Sequence, residues 1–579
     1  MRRWALGALA ATLLTAASDP AADDSVLKAM RDELARARAL KLENLEPPYY
    51  VEYALNDGQN FTAHAYLGGI VSSSHVRFRF PEVRVRVGAY EFDNTNYVGS
   101  SFPFGTRYDL NPFPIEDNYT VLRRYLWLAS DSVYKSAVEA LSRKRAALRN
   151  LTVTEKLPDF SKAAALRHIE EIRPVKYDHL GAAALARAIA RAFTATPDVR
   201  AADVDIDAVT NVRRFVNSEG AEARFPEGGV TVRLRVSGQA ADGMTLRDGT
   251  LLYTLDIALP AEAALQQIAQ RMAANVAALV KASVAETYTG PVLFEGMAGA
   301  QLVAEVLGRN FALTRRPVTE PGRPGAFPYS ELDGRQGARI LPEWMDVVDD
   351  PTQTEWRGRR LIGHYRVDRE GVEPKPVALV EKGVLKNFLL TRQPVRGAGG
   401  SNGRARLPGS FGANAATASN LFVSAAETST LAALKQKVIE ICNTRGKPYG
   451  YVIRKMDFPS SASFEELRRI ASGAAQSGGS RPVSIPLLAY RLYPDGREEL
   501  VRGLRFRGLN TRSLKDILAA GDDSTVFEYL ENNAPFALMG APGFSAEIAV
   551  VAPSLLVDDL ELHRLDEEQP KLPIVPPPQ

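Results

Sequence analysis

Residues Tyr288 to Leu307 have the layout of a small hydrolytic metal site from which the ligands are missing. Val292, Leu293 and Phe294 form a short apolar run that reads as a buried strand, and the alanine-rich stretch after them reads as a helix. A zinc site on such a helix needs two imidazoles about one turn apart, with a carboxylate beside them as general base. Glu295 supplies the carboxylate, and no histidine accompanies it.

The other residues able to ligate or attack are scattered. The six histidines are His64, His75, His168, His179, His364 and His563, and no two stand at ligand spacing on one helical face. They read as surface or hydrogen-bonded core residues. The single cysteine, Cys442, excludes a Cys-rich cluster, an internal disulfide and a CxxC redox centre. It shares a helical face with Leu431, Leu434, Val438 and Ile441, so a small buried core residue is expected. No G-x-S-x-G elbow is present, and no histidine is placed to activate a serine. The run R-G-A-G-G-S-N-G-R-A-R (396–406) lacks the Lys-Ser/Thr of a phosphate cradle and reads as a flexible loop beside a groove. Asp368, Arg369 and Glu370, with Asp349 and Asp350 upstream, read as solvated loop charges rather than a cation site.

The elements that position these residues follow from periodicity. Met1-Arg2-Arg3, a short apolar core and small residues around Ala16 to Ser18 read as a secretory signal over residues 1–18. Its apolar run is shorter than the roughly 20 residues that span a bilayer, and no later stretch spans one. The mature chain is therefore expected to be periplasmic or secreted, without a membrane span. After cleavage the net charge is about +1, and arginines alternate with apolar residues as in strands, so nucleic-acid binding is not expected. An amphipathic helix follows, which Ser25 could cap, and then 49–55, 61–67 and 76–87 alternate as strands. Helices are expected around 120–148, near 180–194 and after Pro260, with strands at 213–220, 230–236 and 249–259 between the last two. The second half is strand- and loop-rich, with hairpins turned at Lys382-Gly383 and at Pro494-Asp495-Gly496. Ser460 to Ser480 reads as a surface insertion.

In order along the second half stand D-V-V-D-D-P-T (346–352), V-D-R-E-G-V (367–372), V-A-L-V-E-K-G-V-L-K-N-F-L-L (377–390), S-N-G-R-A-R (401–406) and G-L-N-T-R-S-L-K-D-I-L (508–518). With N-S-E-G (217–220) before them, this order resembles the TldD/PmbA (TldE) proteins, a metallopeptidase family, from about residue 210 to 562. The resemblance implies a metal site built from H-E-x-x-x-H and a late cysteine. Carried onto this chain, the histidines fall on Phe294 and Gly299, the glutamate on Glu295, and the cysteine on Ala541 within M-G-A-P-G (539–543). All three ligands are absent, so the chain looks more like the non-catalytic PmbA/TldE-type member. Without metal-bound water Glu295 has nothing to deprotonate, and a glutamate at a helix start is also explained by the helix dipole.

The sequence therefore predicts a two-domain α+β protein. Residues 25–285 form an N-terminal antiparallel sheet with long helices, 286–565 a largely antiparallel β domain, and 566–579 a Pro-rich tail. The expected function is that of an exported, non-catalytic subunit of a metallopeptidase pair acting on peptides. Such a subunit carries no cofactor and pairs, as a homo- or heterodimer, with a TldD/PmbA-like chain; zinc is expected only in a catalytic partner. Segments 377–390 and 487–506 are the candidates for strands at the dimer surface or lining the peptide groove. Two alternatives stand beside this reading: a cell-envelope peptide-binding protein without catalytic partner, and an active metallopeptidase using unrecognised ligands.

Overall fold

The computed structural model describes residues 20–40, 45–98, 107–108, 113–149, 157–173, 177–255, 258–319, 329–409, 413–457, 483–532 and 545–565. The expected leader, the Ser460–Ser480 insertion, Ala541 and the Pro-rich tail lie outside these residues.

Long alternating segments set the N-terminal half. Strands β1 (Pro48–Tyr66), β2 (Gly69–Ala89), β3 (Ala201–Asn217), β4 (Glu222–Gln239) and β5 (Thr245–Thr254) pair antiparallel in the order β2-β1-β3-β4-β5. Alternation sends neighbouring side chains to opposite faces. One face of β1 carries Val51, Tyr53 and Leu55, which pack with helices α1 (Ser25–Arg38) and α2 (Tyr119–Leu148). Further along, Phe61, Ala63 and Ala65 pack with α3 (His179–Ala192) and α4 (Glu262–Lys281). Helix pairs thus cover one face of the sheet at both ends. The helices start where a side-chain acceptor meets an orphan N–H: Asp24 accepts from Leu27 N at 2.8 Å, Asn118 from Val121 N at 3.2 Å and Asp178 from Gly181 N at 2.9 Å. The cap of α1 is therefore Asp24, one residue before the expected Ser25.

The chain enters the C-terminal half at Ser283–Val284, which pairs parallel with Val501–Arg502. Two sheets follow. The first contains β6 (Tyr288–Phe294), which leads into the short helix α5 (Met297–Val303). The second contains β7 (Met345–Asp349), β8 (Val377–Glu381) and β9 (Asn420–Ala425). Helix α6 (Leu431–Thr444) then returns the chain to the first sheet as β10 (Gly450–Met456), β11 (Pro486–Leu492), β12 (Glu498–Arg502) and β13 (Leu504–Arg507). Strands β14 (Thr525–Asn532) and β15 (Ser545–Ala552) join the second sheet, and β16 (Leu555–Arg564) closes the first. The orders are β12-β11-β10-β6-β16-β13 and β8-β7-β9-β15-β14. Most neighbours are antiparallel, as expected, but β6 pairs parallel with β10 and β9 with β15. One apolar core, including Phe294, Leu302, Val347, Leu379, Ile548 and Val557, fills the space between the two sheets around α5. Both expected hairpins form; the first turns through Lys382 and Gly383 at φ 47° and 73°, the left-handed geometry that two-residue hairpins favour. Cys442 is buried beside Leu434 and Val438, as its helical face implied.

The charged motifs are not solvated. Asp349, Asp368, Arg369 and Glu370 are 0%, 3%, 7% and 4% exposed, which corrects the loop-charge reading. The end of the glycine-rich run is core as well: Arg404, fully buried, donates from Nε to Asp349 at 2.7 Å and from its Nη atoms to the Asn402 and Lys375 carbonyls. Asp349 in turn accepts from Ser419 N and Oγ, both at 2.7 Å. Burying a charge costs several kcal/mol unless it is paired and hydrogen-bonded, and here both partners are saturated. Arg404→Ala strands Asp349 in the core and should cost about 3–5 kcal/mol, read as a lowered urea midpoint. Arg404→Ala paired with Asp349→Ala should recover part of that loss; no recovery would mean the pair is not the source of the stability.

Candidate functional site

The uncovered face of the N-terminal sheet turns towards the C-terminal half, and its polarity reflects this. Glu52, Asn56, Glu82, Arg84, Asn211 and Arg213 lie on it, all 7% exposed or less. Near the sheet's centre they meet buried groups from the C-terminal half. Arg369 Nη2 donates to Glu82 at 2.7 Å, Arg84 Nη2 to Asn414 Oδ1 at 2.7 Å, and Asn414 Nδ2 to Glu370 Oε1 at 3.1 Å. Beside this junction, Arg392 donates to Glu219 at 2.7 Å while its guanidinium lies 4.0 Å from the Phe160 ring centre. Glu219 is held in place by the N-S-E-G turn, in which Asn217 Oδ1 accepts from Glu219 N and Ala221 N.

Beyond the junction the two halves diverge and leave a cavity of about 1070 Å³. Its floor is the polar side of β3 and β4. Its roof comes from segment 360–369, the turn after α5, and β14 and β15. A smaller space of about 500 Å³ continues along β5 towards Met297 and Gln301 of α5, and Tyr253, Leu255, Arg360, Ile362 and Phe527 border both. Segments 377–390 and 487–506, the candidates for the dimer surface or the groove, contribute no lining residue to either space. Instead 377–385 forms a hairpin at one end of the second sheet.

Many charges in the cavity are matched. Arg309 meets Glu531 at 3.5 Å, Arg366 meets Glu170 at 2.6 Å, and Arg233 pairs with Asp207. Burial and then the charge of Glu370 push Asp368 up to about 7, against the pull of N–H bonds from Val372, Glu370 and Ala405. Burial also pushes the Glu547 carboxyl up; Arg406 draws it back and the charge of Glu227 pushes it further. None of these cleft residues was singled out from sequence except Asp368, Arg369 and the R-A-R end of the glycine run. They come from six or more distant segments, and only the fold brings them together.

The positions matched to metal ligands are built for other tasks. Phe294 is fully buried, with its ring centre 5.7 Å from that of Phe506. Gly299 faces the Pro553 carbonyl so closely that a Cβ there would lie 2.4 Å from its oxygen and 3.3 Å from the Phe294 oxygen. Even alanine does not fit without movement, and imidazole less so. Ala541 lies outside the described residues. Glu295 is engaged by cations: Arg454 Nε lies 3.2 Å from both carboxylate oxygens and Lys435 3.3 Å from one. Glu498 completes the group, 2.6 Å from Arg454 and 2.9 Å from Lys435. Burial works against its ionisation, but Lys435 and Arg454 outweigh it and hold its carboxyl below the usual range. Ion pairing, rather than the dipole of a seven-residue helix, accounts for Glu295. The α5 start is instead fixed by Gly296 N donating to Ser554 Oγ at 2.7 Å, with Ser554 Oγ donating to Asp523 at 2.6 Å. The described histidines have local partners, such as Asp205 for His64 at 2.6 Å and Glu170 for His168 at 2.7 Å. Among the described residues no three His, Cys, Asp or Glu side chains converge on a point that could hold a metal ion. The residues present at 294–299 do not fit zinc.

Two outcomes test this account. Gly299→Ala should destabilise by about 1–3 kcal/mol through overpacking, and a Phe294→His, Gly299→His chain should gain no zinc affinity by calorimetry. Tight zinc uptake by the double variant would show the position is stripped rather than filled. A carboxyl whose folded pKa is raised favours folding at low pH, and that contribution is lost as pH rises from 3.8 to about 7. The stability deficit of Asp368→Asn relative to the parent should therefore shrink between about pH 5 and about pH 8 in thermal melts.

Comparison with known proteins follows the same lines. Residues 287–447 match the sequence model of the PmbA/TldA metallopeptidase C-terminal domain. A protein of Archaeoglobus fulgidus named metalloprotease is 37% identical over 78 residues, which is 14% of this chain and only 17% of that protein's length. Among solved structures, TldE from Thermococcus kodakarensis superposes with a TM-score of 0.55 at 13% identity, covering 92% of this chain and 100% of its own. A Thermotoga maritima protein named for a proposed role as modulator of a DNA gyrase gives a TM-score of 0.58 at 14% identity, covering 92% and 99%. At such identities these two likenesses bear on fold alone, while the matched domain carries the ordered motifs of 346–406. Residues 287–447 thus match a PmbA/TldA metallopeptidase C-terminal domain, and the chain as a whole shares the fold of these two solved structures.

Proposed function

We propose that this chain is an exported, zinc-free TldD/PmbA-like protein that forms the non-catalytic half of a metallopeptidase pair and binds peptide in its interdomain cleft. The observation that carries the reading is Gly299. A position matched to a metal ligand is closed by backbone, while the cleft beside it remains open. The retained Glu295 is committed to Arg454 and Lys435, so it is not poised as a base. Zinc and the hydrolytic water would then belong to a partner chain of the same fold, and this chain would contribute surface and cleft. The basic, apolar start of the sequence supports export. Among the described residues no helix is long and apolar enough to cross a membrane.

A second reading, an envelope peptide-binding protein working alone, is favoured by one feature. Residues of a single chain line both the floor and the roof of the cavity, so it needs no second copy to exist. Sedimentation of the mature chain, alone and co-expressed with a zinc-bearing relative from the same genome, separates the two. The paired reading expects a dimer and metal-dependent peptidase activity only in the co-expressed sample. A monomer in both samples would leave the solitary binding protein. Stoichiometric, chelator-sensitive zinc with peptidase activity in the isolated chain would overturn both and establish an active enzyme.

A further inference from the structure

Two histidines outside the cleft approach each other on the helix-covered face of the N-terminal sheet. His75 stands on β2 opposite Phe61 of β1, and Phe61 packs with α3, whose first residue is His179. The two imidazole centres lie 5.1 Å apart, with the ring planes inclined by 27°. Both residues are exposed. The other four histidines are each engaged by an oxygen acceptor: His64 by Asp205, His168 by Glu170, His364 by the Pro351 carbonyl and His563 by Glu561. His75 commits only one of its nitrogens. Its Nε2 faces Gln59 Oε1 at 2.9 Å, and a carboxamide oxygen only accepts, so Nε2 carries the proton and Nδ1 keeps its lone pair. The ring of His179 touches other rings, His75 and Phe61, the latter at 5.8 Å between centres. Among the described residues no hydrogen bond or ion pair engages it.

The separation is that of two imidazoles on one metal ion. A ligating nitrogen lies about 2.0–2.1 Å from a transition ion and the ring centre about 1.1 Å further, so metal and centre are about 3.2 Å apart. Two such rings have their centres about 4.5 Å apart when they meet the ion at a right angle, and about 5.2 Å apart at the tetrahedral angle. The observed 5.1 Å falls inside that range. Because both rings are exposed, rotation about Cβ–Cγ brings their nitrogens onto the common point. A second feature is already in place. A metal-bound histidine characteristically donates its other N–H to an oxygen, which fixes its tautomer and ring orientation, and Gln59 does this for His75. The local architecture also gives a bridge something to hold. Over residues 71–77 β2 is exposed and, among the described residues, pairs with β1 alone. An ion shared with the start of α3 ties this edge to a helix that is packed in the core.

We propose that His75 and His179 chelate a divalent transition-metal ion, copper(II) in preference to zinc, through Nδ1 of His75 and one ring nitrogen of His179. Imidazole donors select ions of this group over calcium and magnesium, which take oxygen ligands, and affinity for a given nitrogen site rises to copper and falls again at zinc. Among the described residues no third His, Cys, Asp or Glu side chain joins the pair, so water fills the remaining positions and the ion stays exchangeable. Neither histidine lines the cavity, and both are remote in sequence from the 294–299 position. The inference therefore stands apart from the peptide-binding reading.

The test uses the full mature chain, stripped with chelator, and copper(II) chloride as the probe. Electron paramagnetic resonance at micromolar protein should show one equivalent of bound copper, with superhyperfine splitting from two nitrogen ligands. His75→Gln and His179→Gln should each weaken uptake by about tenfold or more and remove one nitrogen from the spectrum. The double variant should lose the site, whereas His168→Gln should leave it unchanged. Zinc should displace the copper only in large excess, and calcium and magnesium not at all. Thermal melts without metal show whether the variants fold as the parent does, which two exposed side chains lead one to expect. Copper should then raise the melting temperature of the parent and not that of the double variant. Copper retained by the double variant, uptake that either single variant leaves untouched, or no uptake by the parent at micromolar copper overturns the inference, and the pair is then ring contact alone. A metal held at 294–299 would survive the double variant, so a failure of the zinc-free reading is told apart from a failure here.

Discussion

Arginine buried between the two halves of the chain is the constraint on which the rest of the molecule depends. Arg84, Arg369 and Arg392 are each 7% exposed or less, and none can lose its proton at any ordinary pH. Each therefore requires carboxylate, amide or carbonyl oxygens at fixed geometry, and those acceptors come from both sides of the junction: Glu52 and Glu82 from the sheet, Glu219 from the turn after β3, and Asn414 Oδ1 from the C-terminal half. Such a network adds little net stability over an apolar junction, because desolvation offsets most of the attraction. What it does is penalise every other arrangement. Sliding the halves by one residue would leave several charges buried and unpaired, at several kcal/mol each.

That rigidity explains why the cleft exists. An apolar interface would tend to close over its whole length to remove surface from water. Here the two halves meet tightly only where charges match, and further along β3 and β4 the facing side chains are Asp207, Glu227, Arg233 and Arg235, which remain partly hydrated. The separation is set by the junction, and the polar floor resists collapse. A single chain thereby holds a preformed cavity, and ligand-binding cavities are usually preformed.

Periodicity in the sequence foretold the helices well because each has one apolar stripe, and α2, α3 and α4 lie within about two residues of where they were placed. Strand β1 was read as two strands broken at Asn56-Asp57-Gly58-Gln59-Asn60, a stretch whose composition favours a turn. It continues as one strand because β2 and β3 pair with it on both sides, Asn56 with Phe80 and with Arg213, so its backbone groups are satisfied where propensity alone would not hold them. The buried ion pairs were misread for a related reason. Charge in a loop segment looks hydrated until its partner is known, and the partner of Arg369, Glu82, is 287 positions away. The cleft residues have the same character. No local spacing joins them, because the floor comes from β3 and β4 and the roof from segments spread between residues 304 and 547.

At the metal-matched position the two kinds of information converge. The resemblance carries the two histidine positions onto Phe294 and Gly299, but sequence alone does not say whether those positions have room for a ligand. The geometry does. With Phe294 stacked on Phe506, Gly299 against the Pro553 carbonyl and Glu295 shared by Arg454 and Lys435, every group at the α5 start has a partner that a metal would displace. Restoring two imidazoles would have to break core stacking, move the β15–β16 connection and unpair a carboxylate together. The first two changes are steric and the third electrostatic, and none is offset until all three ligands are present, so partial reversion is disfavoured at each step.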